Sequence, residues 1–90
     1  MASTVIFLTT QALREIEYHY DCIRRAEKMG DLSKYAGHLE AIEKTFKENQ
    51  NVIKSLKISF FDRHQYNKMM AKIERILQDA RSIAEKLLCR

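Results

Sequence analysis

The ninety-residue chain has no proline and no tryptophan, and it has only two glycines, Gly30 and Gly37. Without proline nothing breaks a helix from within. With glycine so scarce, the tight phosphate-cradling loops that need it have no place to form. Cysteine is limited to Cys22 and Cys89, at no metal-ligand or redox spacing, which excludes a disulfide-stapled scaffold and leaves two reduced thiols as the expectation. No apolar run approaches the roughly 18–20 residues of a membrane span. Val5-Ile6-Phe7-Leu8 is apolar but has no basic residue ahead of it and no small-residue cleavage pattern behind it, so a secretory signal is not expected.

What is present is helix-forming. Hydrophobic residues make up 46% of the chain and charged residues 31%, a composition suited to a small helical bundle and unlike a disordered tail. The net charge of +4 is uneven. Residues 1–45 hold six Lys/Arg against seven Asp/Glu, or −1, and residues 46–90 hold ten against five, or +5. A basic half suits either a solvated face or an acidic partner.

Hydrophobic spacing predicts an all-α single domain over residues 1–90. The architecture is an up-down-up three-helix bundle, or a helical hairpin with an additional N-terminal helix. Leu32, Tyr35, Leu39, Ile42, Phe46, Asn49, Ile53 and Leu56 step by threes and fours and form a coiled-coil-like seam. It predicts a helix over 33–57 with Asp31 or Ser33 as cap. Upstream, Leu13, Ile16, Tyr20 and Ile23 predict a helix over 10–29, capped by Thr9 or Thr10 and ended by Gly30. Residues 1–8 are expected to be an extended arm. Gly37, off the seam, is either a close-approach point or a tolerated weak one. Downstream, Asp62 and Gln65 match a capping box that starts a helix over 63–89.

That last helix has two apolar stripes. Tyr66, Met70, Ile73, Leu77, Ala80, Ala84 and Leu87 suffice for a hairpin with the middle helix. Met69, Ile76 and Ile83 make a second stripe, which needs either the first helix or an outside partner. Val5, Ile6, Phe7 and Leu8 on the arm either fold back over a helix end or dock on another protein as a partner contact.

No catalytic set emerges. His19, His38 and His64 are not at i, i+4 spacing to one another or to a cysteine, and neither a metal nor a cofactor is expected. Ala12-Leu13-Arg14-Glu15-Ile16-Glu17 with Asp21 and Ile23 is similar to the opening of helical chorismate mutases. Their sites, however, need core-facing cations, and the Lys and Arg residues here fall off the stripes. Lys68, Lys72 and Arg75 share a face with Arg63 and Arg81 nearby, which supports an alternative reading as a basic nucleic-acid-binding or regulatory bundle. Glu74, Asp79 and Glu85 break up that field.

Three stretches carry a resemblance. They are Leu8-Thr9-Thr10-Gln11-Ala12-Leu13-Arg14-Glu15-Ile16-Glu17, the turn ending Asp62-Arg63-His64-Gln65-Tyr66, and the run from Met70 to Leu87 with Ala80 and Ala84. Together the chain resembles the small co-chaperones of type III secretion needle subunits (YscE-type). The resemblance implies binding without catalysis in the bacterial cytoplasm. The partner would be a tetratricopeptide-like helical chaperone, contacted through Met69, Ile76 and Ile83 of the last helix and Phe60 and Phe61 at the turn, and the pair would hold a needle subunit soluble and monomeric. It also implies that the isolated chain melts early or self-associates.

Overall fold

A computed structural model describes residues 3–88, apart from the side chains of Leu32 and Leu88. It contains three helices: α1 (Thr4–Met29), α2 (Leu32–Lys54) and α3 (Phe60–Leu88). Among the described residues there is no strand.

The helices begin and end where the backbone finds partners. Ser3 is the N-cap of α1, its hydroxyl accepting the Ile6 N–H at 3.1 Å. The arm expected over residues 1–8 is therefore helix from Thr4 onward, while Met1 and Ala2 lie outside the described residues. Thr9 and Thr10, expected as caps, are mid-helix. Thr10 donates to the Ile6 carbonyl one turn back at 2.7 Å, and Thr9 is fully buried with its hydroxyl oxygen unpartnered.

Gly30 ends α1 at φ +71°. Its N–H reaches the Glu27 carbonyl at 3.2 Å, and the Asp31 N–H reaches Ala26 at 3.0 Å, the paired bonds of a Schellman cap. Asp31 then caps α2, its carboxylate accepting the Ser33 N–H at 3.2 Å and hydroxyl at 2.6 Å. The hydrogen bonds from Ser33 hold the Asp31 carboxyl below its ordinary range.

The cap of α3 stands one turn earlier than Asp62 and Gln65 suggest. Ser59 Oγ accepts the Asp62 N–H at 3.3 Å and donates to the Asp62 carboxylate at 3.0 Å. This local box draws Phe60 and Phe61 into the helix. α2 correspondingly stops at Lys54, three residues short of the expected end, where the Ser55 hydroxyl donates to the Val52 carbonyl at 2.7 Å. The expected end of the last helix at Cys89 lies outside the described residues.

Cross-helix contacts fix the directions. Thr10 meets Met69 and Tyr20 meets Asp79, so α1 and α3 run parallel. Leu8 lies across from Val52 and His19 across from His38, so α1 and α2 are antiparallel. Tyr35 pairs with Ala80, Phe46 lies by Leu77, and Ile53 lies by Tyr66, so α2 and α3 are antiparallel. Short connections between sequential neighbours favour this up-down-up order.

The core is one apolar column. Ile16, Ile23 and Ala26 of α1 meet Tyr35 and Ile42 of α2 and Met70, Ile73, Ile76, Leu77, Ala80 and Ile83 of α3. Val5, Ile6 and Ala12 bury the start of α1. Two tyrosine hydroxyls cross the seams. The Tyr20 hydroxyl donates to the Asp79 carboxylate, and the buried Tyr35 hydroxyl donates to the Ala80 carbonyl. The ion pairs Arg81–Glu43 at 3.3 Å and Lys72–Glu17 at 3.8 Å are exposed and contribute little to stability.

Candidate interaction surface

Of the nine residues assigned to a partner, four are core. Val5 and Ile6 are buried because the segment carrying them is helical and turns that face inward. Ile76 and Ile83 are buried because α1 covers the second stripe of α3. Their assignment to an outside partner is corrected accordingly. Leu8 is half-buried, and so is Met69, whose Sδ lies 3.5 Å from the Thr10 hydroxyl oxygen.

The remaining three stay in solvent. Phe60 is 86% exposed, Phe61 91% and Phe7 55%. Phe60 and Phe61 stand edge to face, with ring centroids 5.9 Å apart and planes at 82°. The Ser59–Asp62 box places them on the first turn of α3, where no other helix passes over them. Because α1 and α3 are parallel and α2 opposes both, Phe7, Phe60, Phe61 and the exposed Val52 all fall at one end of the bundle. Lys54, Lys57, Arg63 and Lys68 are exposed on the same end. The chemistry available there is that of an aromatic knob with a basic surround. Among the described residues, no helix is long and apolar enough to cross a membrane.

Elsewhere a groove of about 680 Å³ runs between α1 and α3, lined by Glu17, Tyr20, Asp21, Arg24, Lys72, Arg75, Ile76 and Asp79. Its three cations face three carboxylates. Arg24 lies over the Tyr20 ring at 5.8 Å, and Lys72 pairs with Glu17. The basic face of α3 is thus partly neutralised by α1, which the sequence pattern of α3 alone does not show. Among the described residues, no group of three or more His, Cys, Asp or Glu stands close enough to hold a metal ion. Cys22 is a free, half-buried thiol. Compared with protein-family models, curated proteins and solved structures, the chain matches none.

Proposed function

We propose that this chain is a non-enzymatic helical adaptor of the co-chaperone type. It binds a tetratricopeptide-like helical chaperone and helps keep a type III secretion needle subunit soluble and monomeric in the bacterial cytoplasm before export. The observation that carries the reading is the Phe60–Phe61 pair, two large rings standing almost wholly in water on a capped helix start. An exposed aromatic pair of this kind is costly to leave uncovered and effective when it enters a pocket, at about 1.5–3 kcal/mol per fully buried ring. In its finer form the reading takes α2 and α3 as a hairpin whose turn presents the rings. α1 is the additional N-terminal helix that covers the second stripe of α3 and adds Phe7 to the same end. Met69 and Leu8, half-buried, form the margin of the contact.

The nucleic-acid alternative has less support, because Lys72 and Arg81 are paired with carboxylates and the groove beside Arg75 is acidic as well as basic.

The test is co-expression with the tetratricopeptide-like chaperones of the source organism, followed by purification and melting of any complex. Binding is expected to raise the Tm, as any ligand of the native state does. The double substitution F60A/F61A is expected to weaken the complex by about 3 kcal/mol or more. A chain that remains monomeric, with an unchanged Tm beside each of those chaperones, ends the proposal.

A further inference from the structure

The seam between α1 and α2 contains a feature that the binding surface does not use. His19 on α1 and His38 on α2 are both half-buried, and their Nδ1 atoms face each other at 2.9 Å. The ring centroids are 5.2 Å apart, with planes at 44°. At that separation only one of the two facing nitrogens can carry a hydrogen. One ring donates its Nδ1–H, and the other must offer a bare Nδ1 as acceptor.

The pair can therefore accept one added proton without losing its bond. A proton on the donor ring's Nε2 leaves the Nδ1–H in place and strengthens it as a charge-assisted donor. A second added proton has to go on the acceptor Nδ1. It would set two N–H groups head to head between two imidazolium rings.

We propose that His19 and His38 form a proton-sensitive fastening between α1 and α2, closed while the pair carries at most one positive charge and forced open by the second proton. The neighbouring groups agree. Tyr18 stands edge-on to His19 at 5.2 Å and brings no charge. Burial and the adjacent His38 hold the His19 imidazole below its ordinary value of 6.5. Glu15, one turn earlier on α1, pulls the other way, and no charged group of α3 enters that balance. The depressed folded value means that the unfolded chain takes the proton first. The stability contributed by the closed pair is therefore complete above about pH 6.5 and is lost, with the second proton, as the pH falls through the lowered His19 value. Two coupled rings titrate in two steps that belong to the pair.

The consequence is mechanical. Ile23 and Ile42, both fully buried, lie one turn beyond His19 and His38. Parting the seam there wets the column shared by all three helices.

The first measurement follows the His19 imidazole resonance of the full chain from about pH 8 to about pH 4.5. The His19 step is expected below its ordinary 6.5. In H38Q the His19 step is expected to move upward towards 6.5. A His19 curve that H38Q leaves unmoved overturns the proposal.

The second measurement compares Tm at about pH 7.5 and about pH 5. The wild-type chain is expected to lose several degrees more than H19Q or H38Q, with a gain in dye-binding apolar surface. Equal losses overturn the proposal. If Zn²⁺ or Ni²⁺ raises the Tm of the wild-type chain and of neither variant, the pair is a metal site, and the proton-sensitive fastening is rejected. Should both variants fail to fold, the wild-type titration decides alone.

Discussion

Gly30 and Gly37 place opposite demands on the same residue type. Gly30 sits at φ +71°, where a side chain strains the backbone, and a Cβ there would meet nothing within 4 Å. The full cost of Gly30→Ala is thus conformational, about 1 kcal/mol. Gly37 is exposed inside α2, and a Cβ there also meets nothing within 4 Å. The close-approach reading of Gly37 is excluded, and the weak-point reading stands. Gly37→Ala is expected to stabilise the chain by about 0.5–1 kcal/mol, since alanine loses less backbone freedom in a helix. Urea unfolding midpoints for the two variants should move in opposite directions. A destabilised Gly37→Ala would mean that another surface lies against α2 at that point.

At the scale of elements, the helix interfaces are tied by two tyrosines, and their ionisation reports the ties. The hydrogen bond to Asp79 pushes the Tyr20 hydroxyl up from its ordinary 10.0, and burial pushes Tyr35 up from the same value. A raised folded value means that the contribution is present below pH 10 and lost as the pH rises past the folded titration. Absorbance at alkaline pH should show Tyr20 and Tyr35 ionising above the ordinary 10.0, with α3 coming away from α1 and α2 as they do. Ionisation of Tyr20 and Tyr35 at the ordinary 10.0 in the still-folded chain would contradict both contacts.

The same interfaces explain how much could be read from the residues. The α2 seam was legible because Tyr35, Ile42 and Ile53 recur at helical spacing and are buried. The start of α1 was not. Four consecutive apolar side chains hide a period, and the stripe continues back through Thr9, a polar residue occupying a core position. Counting Thr9 as core would have linked Ile16 and Ala12 to Val5 and revealed Ser3 as the cap. For α3, spacing gave the width of the apolar face but not its cover. Only the parallel register of α1 shows that Ile76 and Ile83 lie beneath it while Phe60 and Phe61 project past it. The His19–His38 contact, nineteen residues apart on different helices, carried no signal in local spacing.

On the scale of the whole molecule, the bundle is long and thin, 46 × 19 × 17 Å, with a radius of gyration of 14.6 Å. A compact chain of this length is expected near about 12 Å. Its surface is 6725 Å², where a compact 10.6 kDa monomer would expose about 5,500 Å². Three helices of this length surround a column one side chain wide, so the excess surface follows from the geometry. Fold and the proposed binding surface then draw on different residues, and the two can be separated. Ile76→Ala and Ile83→Ala remove buried methyl groups and are each expected to cost about 2–5 kcal/mol of stability, a large share of what a domain this small possesses. F60A/F61A touches rings already in water and is expected to leave the urea midpoint within about 0.5 kcal/mol of wild type. The discriminating outcome is the pairing of the two results. If the phenylalanine substitutions destabilise the isolated chain as strongly as the isoleucine ones, the rings belong to the core in solution, and the exposed end can no longer serve as the surface that meets a partner.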